Sequence, residues 1–361
     1  MLNALFVALI AFGVSVSVNM LMMLVGEKKG VGLDHPSKRK VHKKPVVRLG
    51  GIGIFVGLLP ALFFMEMDKQ FPILFIGGIF ILLIGLYDDL YNLNGRYKIL
   101  LSALCVSAVI WFSGLHVESL GNLFGAGEIH LGSFGVPFTV FAVVGVISAI
   151  NFIDGLNGLA GGLSLLSAIM LLGFGFNAIS HGMALLDCAV IGALLGFLIY
   201  NFPHGKIFMG DSGCMFLGYW LSMFSILLFG HEGPYEPTIA VLLLFIPIFD
   251  LLRVVVIRVL RSVDPLLGDK RHLHHIIHRF GVSHQNSTLL LLLFAFVPAI
   301  FALITRSLEG WQHLLFLLVY ASFFGVLLEL MVKNIRVLTK RMKKMKMFYG
   351  SRKRVLVGKS E

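Results

Sequence analysis

Ile79-Phe80-Ile81-Leu82-Leu83-Ile84-Gly85-Leu86-Tyr87-Asp88-Asp89 closes an apolar run that starts at Phe71, and it closes it with two adjacent carboxylates. Hydrocarbon cannot hold such a pair, so this end of the run must lie at a membrane surface. Neighbouring aspartates repel unless something cationic lies between them, and the usual candidates are a hard divalent metal or a proton shared in acid/base chemistry. The plainer reading is a solvated helix end, since helix ends facing water often carry charge. The choice turns on how many other polar clusters reach the same side.

The composition makes the membrane reading general. Of 361 residues 57% are hydrophobic and 14% charged, with a mean hydropathy of +0.90, which excludes a soluble domain of any class. The first apolar run, Leu2 to Val25, is longer than a signal-peptide core, has no Lys or Arg before it and lacks a small-residue cleavage site, so it is expected to be a retained span. Cys105, Cys188 and Cys214 stand in apolar surroundings without CxxC or Cys/His spacing, which suits packing and implies neither a disulfide nor a zinc site.

At about 20 residues per helix, shorter if tilted, spans are expected near 2–25, 49–65, 71–87, 98–112, 137–153, 159–180, 185–200, 214–229, 238–260, 288–305 and 314–332. The fold class is therefore an all-α polytopic membrane protein of about 11 helices, with its termini on opposite sides. With the N-terminus outside and the C-terminus cytoplasmic, only Lys69 and Arg306 of the 30 basic residues stay outside, so the net charge of +11 describes an inner membrane face. The chain reads as one membrane-embedded domain, 1–361, with inner loops at 26–48, 88–97, 154–158, 201–213 and 261–287 and a basic tail, 333–361, suited to anionic lipid headgroups. Membrane lipids are thus partners, and nucleic acid is not implied. The longest outer piece, Ser113 to Val136, is Gly-rich with mixed alternation and suits a small hairpin.

The inner loops carry the chemistry. Arg48 stands beside Gly50 and Gly51 at a helix start, where backbone can approach a ligand closely, and it is a candidate phosphate contact as well as an anchor. Arg96 and Lys98 follow the Asp pair, and two carboxylates with two cations over so short a stretch suit a metal-bound, phosphate-rich substrate better than a surface salt bridge. In Asn151-Phe152-Ile153-Asp154-Gly155-Leu156-Asn157-Gly158, helical spacing would put Asn151, Asp154 and Asn157 on one face, a mix of donors and acceptors suited to a base or sugar. Asn201 to Gly213 holds Asp211 between Gly210 and Ser212 before an apolar span, where it either caps the helix or serves a ligand. In Asp269 to Phe280, Leu273, Ile276, Ile277 and Phe280 share a face opposite Arg271, His274, His275 and His278, describing an interfacial helix with a cationic side. Zinc lacks a Cys or HExxH-type partner there, and an anionic, hydroxyl-rich ligand fits better. Asp250 and Arg253 can pair within a span that Pro247 is expected to kink. Because the ionisable groups gather at one face instead of mid-bilayer, a transporter fits less well than an enzyme.

GLYDDL, NFIDGLNGLAGG, NFPHGKIFMGDSG and DKRHLHH, in this order along nearly the whole chain, resemble the polyprenyl-phosphate N-acetylhexosamine-1-phosphate transferase family. The resemblance implies an enzyme that joins a polyprenyl phosphate to a cytoplasmic UDP-amino sugar and releases UMP, with Mg2+ (or Mn2+), in the bacterial inner membrane. By similarity Asp88 and Asp89 are the catalytic acidic pair near the lipid phosphate, and Asp211 is the metal ligand. Asn151, Asp154 and Asn201 fall where the family binds the nucleotide, and Phe208 where it can stack on uracil. Asn157 replaces an Asp common in the family, so a contact without charge is carried over there. His272-Leu273-His274-His275 resembles the aminosugar branch, which makes a UDP-N-acetylhexosamine, most simply UDP-N-acetylglucosamine, the implied donor and undecaprenyl phosphate the implied acceptor. The muramoyl-pentapeptide branch typically has three consecutive histidines. A homodimer is compatible with the sequence, which specifies neither it nor the downstream glycan.

Overall fold

In hydrocarbon a backbone has no hydrogen-bond partner but itself, so each apolar run becomes a helix. The computed structural model of the chain describes residues 2–36, 44–65, 70–175, 180–230, 233–262, 272–273, 276–277 and 280–357, side chains beyond residue 334 excepted. The first half contains α1 (Leu2–Lys29), α2 (Gly50–Leu58, continued by a 3-10 turn to Phe63), α3 (Phe71–Tyr91), α4 (Gly95–Ser113) and α5 (Gly135–Ile153). The second contains α6 (Leu159–Gly175), α7 (His181–Asn201), α8 (Gly210–Phe229), α9 (Thr238–Leu243), α10 (Phe245–Val259), α11 (His284–Ile304) and α12 (Gly310–Val357).

Among the described residues eight helices are long and apolar enough to cross a membrane. The other three expected spans take different forms. Gly50–Phe63 and Leu159–Gly175 are shorter apolar helices, and the region near 238–260 is two helices parted at Leu244 (φ −105°, ψ 22°). The cause of that break is Pro247, which has no N–H for a bond back to Leu243 and crowds its carbonyl, so the helix restarts with the proline in its first turn. Large apolar side chains such as Leu5 (64% exposed), Phe80 (55%) and Phe141 (76%) face outward from the bundle, a surface suited to lipid.

The centre of the bundle is α8, buried along almost its whole length. Lipid tails are as apolar as leucine, so helices associate through close packing and a few hydrogen bonds. Small residues let α8 approach its neighbours. A Cβ added at Gly51 of α2 would come 2.2 Å from the Gly213 nitrogen, one at Gly218 would come 2.6 Å from the Ile147 Cα of α5, and one at Gly85 of α3 would come 2.6 Å from the Asp211 carbonyl oxygen. The Tyr219 hydroxyl donates to the Leu74 carbonyl at 2.8 Å, and the Ser15 hydroxyl of α1 donates to the Ala193 carbonyl of α7 at 2.7 Å.

Two loops join beneath these helices. Strands β1 (Leu33–Asp34) and β2 (Val46–Val47) pair antiparallel, and Val47 bridges in parallel to Ile207. The Phe208 N–H donates to the Val47 carbonyl at 2.8 Å, while Gly50 and Gly51 N–H groups donate to the Phe208 and Met209 carbonyls at 2.9 and 2.8 Å. The start of α2 and the start of α8 are therefore one hydrogen-bonded unit. At the opposite end, Ser119 and His130 form one antiparallel bridge, the small hairpin expected between 113 and 136.

Because Gly85 is where α3 touches the first turn of α8, Gly85→Ala should lower the thermal stability of the detergent-solubilised protein by about 1–3 kcal/mol. Gly95→Ala is the control, since a Cβ there meets nothing within 4 Å. Equal melting curves for the two variants would contradict the close crossing.

Candidate active site

Asp88 and Asp89 lie in the last turn of α3, and Asp211 in the first turn of α8. Successive helical residues point about 100° apart, so the two acids of the pair face different neighbours. Asp89 turns into the protein, its side chain wholly buried. Its Oδ1 accepts the Asp211 N–H at 2.9 Å, and its Oδ2 accepts the Ser212 N–H at 3.0 Å and the Ser212 hydroxyl at 2.8 Å. It thus caps α8 from another helix, in the place where a preceding Ser or Asp would normally stand. Met209, the residue before α8, supplies no side-chain cap, and Gly210 enters the helix at φ +74° with its α-carbon pressed toward the Arg48 carbonyl, a conformation glycine adopts freely.

Asp88 turns the other way, toward α4. Its Oδ2 accepts Lys98 Nζ at 2.7 Å, and the same ammonium binds Asp211 Oδ2. Its Oδ1 accepts the Leu93 N–H, fixing the turn that follows α3. Arg48 Nη2 lies 3.1 Å from Asp211 Oδ1 and 3.2 Å from Asp89 Oδ1, while Nη1 lies 3.9 Å from Asp34 Oδ1. Burial works against the Arg48 charge, but Asp89, Asp211, Asp34 and Asp88 outweigh it and raise its pKa. Among the described residues, Asp88, Asp89 and Asp211, with Asp34 of β1 at the margin, therefore meet Arg48 and Lys98 at one end of the bundle.

The donor set suits a hard cation. Asp88 and Asp211 already aim oxygens at one point, held here by the Lys98 ammonium. Among the described residues no group of three His, Cys, Asp or Glu side chains forms a complete metal nest. A hard divalent ion can be held by one or two carboxylates when substrate phosphates and water complete its shell. Asp211, with Asp88 beside it, is the pair that would hold it. Asp89, whose oxygens already accept three hydrogen bonds, is the least available.

The family description glycosyl transferase family 4 matches residues 71–229 of this chain, from the start of α3 to the end of α8, the span that carries all three acids. A probable undecaprenyl-phosphate N-acetylglucosaminyl 1-phosphate transferase of Bacillus subtilis is 33% identical over 305 residues, covering 82% of this chain and 84% of that protein. The chain belongs to glycosyl transferase family 4. Undecaprenyl-phosphate alpha-N-acetylglucosaminyl 1-phosphate transferases of Haemophilus influenzae and Escherichia coli K12 are 33% and 30% identical, covering 87% and 82% of this chain and 93% and 84% of their own lengths.

The remaining expected site residues of this family 4 chain fall into two groups. Asn151 shares a cavity of about 80 Å³ with Lys98 of α4 and Met215 of α8. Asp154 accepts the Cys214 thiol at 3.3 Å, and burial pushes its carboxyl up to about 6, with Cys214 and Arg48 acting downward and Asp211 and Asp89 upward. The single helical stripe through Asn151, Asp154 and Asn157 is not what forms. α5 stops at Ile153, Asp154 takes φ −73° and ψ 63°, and Gly158 sits at φ +77°, because a glycine-bearing turn here is packed tightly against Phe202. Asn157 instead donates to the Pro203 carbonyl at 3.1 Å and accepts the Thr288 hydroxyl on its own carbonyl at 3.0 Å. Asn201 is buried, accepting the Gly158 N–H at 2.6 Å and donating to the Ile207 carbonyl at 2.8 Å. These two amides hold the 154–158 and 201–209 loops together, and Phe208 is carried by the backbone ladder against Val47 and Gly50.

Of the His-rich loop, His272 is described, and Arg271, His274 and His275 lie outside the described residues. Of the expected apolar face, Leu273, Ile276 and Ile277 are buried against protein instead of resting in lipid, while Phe280 is 44% exposed. The carboxylate of Asp250 in α10 explains the docking. Its Oδ2 meets His272 Nδ1 at 2.8 Å, and its Oδ1 accepts the Leu273 N–H at 3.0 Å and Arg253 Nη2 at 3.2 Å. The expected Asp250–Arg253 pair is present, and the tether to His272 is the part that sequence spacing did not show. A carboxylate inside an apolar helix was the available signal.

Proposed function

We propose that this protein transfers N-acetylglucosamine 1-phosphate from UDP-N-acetylglucosamine to undecaprenyl phosphate, releasing UMP and initiating a cell-envelope glycan. An acceptor phosphate oxygen attacks the β-phosphorus of the donor, the bond to the bridging oxygen breaks, and UMP leaves with that oxygen. The observation that carries this reading is the convergence of Asp88, Asp211, Lys98 and Arg48 at one end of an apolar bundle. Two anions must meet for the reaction, and fixed cations beside carboxylates able to hold a metal are the means of bringing them together. The names of the family 4 relatives, undecaprenyl-phosphate N-acetylglucosaminyl 1-phosphate transferases, support the acceptor and the transferred group.

In this reading Asp211 would hold Mg2+ (or Mn2+), with Asp88 beside it and near the acceptor phosphate. The bound ion would supply charge neutralisation on the diphosphate. Lys98 and Arg48 offset the phosphate charges. Asn151 and Asp154 contact the nucleotide, Phe208 stacks on uracil, and Asn157 and Asn201 hold the loops that carry them. Asp89 positions Asp211 by capping its helix. His272, with Arg271, His274 and His275, receives the sugar diphosphate. Eleven spans, an outside N-terminus and a cytoplasmic C-terminus place this end of the bundle on the cytoplasmic side of a bacterial inner membrane, where the nucleotide sugar is found. A homodimer is compatible with this arrangement.

Asp250 is a positioning residue here, since its carboxylate meets Nδ1 of His272 and so fixes the orientation of the ring. Asp250→Ala should raise KM for UDP-N-acetylglucosamine by roughly tenfold with a smaller change in kcat, and Asp250→Asn should recover part of the loss. An unchanged KM in both variants would leave the tether a packing feature only.

The reading is tested by incubating purified protein with undecaprenyl phosphate, Mg2+ and a panel of UDP-sugars. UMP and glycolipid should appear together and only with UDP-N-acetylglucosamine or a close aminosugar. Release of UMP from UDP-N-acetylmuramoyl-pentapeptide alone would assign the other branch, and movement of label into vesicles without UMP would make the protein a transporter.

A further inference from the structure

The end of the bundle opposite the carboxylates holds a cavity of about 490 Å³, lined by Glu118, Glu128, His130, Glu236, Arg306 and Glu309. A second cavity of about 300 Å³ runs inward from it between α5, α8, α9 and α12. Its lining is almost wholly apolar, including Val117, Phe138, Ala142, Val146, Leu244 and Leu317. Phe229, Gly230 and Pro237 line both, so the polar chamber opens directly above the apolar one. Ser225 is one of the few polar residues on this lining, and it is only 4% exposed.

Neither chamber is explained by the carboxylate site. α8 runs 20 residues from Gly210 to Phe229, so the polar chamber lies about 30 Å from Asp211. A ligand that filled only the polar chamber would leave the apolar one unused, and a hydrocarbon would leave the polar one. Together they match a molecule with a polar head and an apolar chain, lying in the leaflet opposite the reaction.

The charge of the polar chamber selects the head. Among the described residues, four carboxylates line it with one Arg306. Some of this charge is already engaged: Glu309 Oε2 accepts Asn122 Nδ2 at 2.8 Å and Trp311 Nε1 at 3.1 Å, and Glu128 lies 3.7 Å from His130 Nε2. Glu236 is pushed up by burial, eased by the Gly310 and Asn122 N–H groups, and pushed up again by Glu128 and Glu309. A purely anionic head, including the phosphate of a polyprenyl phosphate, would meet this field unfavourably. A head that carries both a phosphate and an ammonium would answer Arg306 and the carboxylates at once.

We propose that this end of the protein is a binding site for a phospholipid with an amine-bearing head group, the head in the Glu236–Arg306 chamber and one acyl chain in the chamber beneath it.

The test uses the full-length protein in detergent, offered equal amounts of phosphatidylethanolamine and phosphatidylglycerol with the same acyl chains, plus undecaprenyl phosphate in a parallel arm. Native mass spectrometry counts the retained lipid. The wild type should keep one phosphatidylethanolamine per chain, preferred over phosphatidylglycerol by at least about tenfold. Glu236→Gln should erase most of that preference while still holding lipid, and Ala142→Phe, which fills the apolar chamber, should hold neither. Thermal unfolding curves matching the wild type show that both variants are folded, and Ala240→Phe, on the other wall, replaces Ala142→Phe if that variant is not. Equal retention of the two phospholipids by the wild type, or retention untouched by filling the chamber, would overturn the proposal. Displacement of phosphatidylethanolamine by undecaprenyl phosphate would also overturn it, giving the chamber to the acceptor's tail.

Discussion

Asp211→Asn should lower turnover by roughly a thousandfold while the protein remains folded. The substitution keeps size and most hydrogen bonding, so a residue that only capped α8 would lose about a kilocalorie or less of stability and little activity. The structure gives the capping role to Asp89 instead, through the Asp211 and Ser212 N–H groups. What Asp211 contributes is charge: its two oxygens face Arg48 and Lys98. An Asn there cannot draw a divalent ion to the diphosphate, so excess Mg2+ should restore little. Turnover within a few-fold of the wild type, with equal melting curves, would remove Asp211 from the chemistry.

Asp89→Asn should fail differently from its neighbour. Asp89 is a buried charge that receives two backbone N–H groups, a hydroxyl and the Arg48 guanidinium. Removing one partner of such a buried pair costs about 3–5 kcal/mol, because the other is left uncompensated and the amide NH2 of Asn meets a donor where an acceptor is needed. We therefore expect a large fall in melting temperature together with lost activity, since α8 loses its cap and Asp211 its placement. Asp88→Asn, whose carboxylate binds Lys98 at 2.7 Å beside Asp211, should lose turnover with little change in melting. Thermal unfolding in detergent, read beside UMP release, separates the two. The same melting temperature in both variants would contradict the division of labour.

How the site could be read from the sequence follows from the range of each contact. Asp88, Asp89, Lys98 and Asp211 stand where apolar runs meet polar loops, and the scarcity of charge elsewhere makes their grouping legible. The division between Asp88 and Asp89 was not, because it depends on which side of α3 meets α8, a contact set by Gly85 against Ser212. The two-residue strands at 33–34 and 46–47 are too short to show alternation, so the joining of the Arg48 loop to Phe208 had no local signal. Pro247 announced the break in the 238–260 region. Asp250 was read with Arg253 because both lie on one helix, whereas its bond to His272 closes a loop of 22 residues that pattern alone does not pair. The helical stripe through Asp154 failed because Gly158 follows it at φ +77°, and the turn it allows outcompetes a continued helix.

The most direct test of the central claim follows one phosphorus atom. With UDP-N-acetylglucosamine labelled in the β-phosphate, purified protein, undecaprenyl phosphate and Mg2+, the label should pass wholly into a lipid-linked diphosphate sugar, one for each unlabelled UMP released, and none should move when the acceptor is omitted. Label recovered as free sugar phosphate, or lipid product formed without UMP, would contradict transfer at this site.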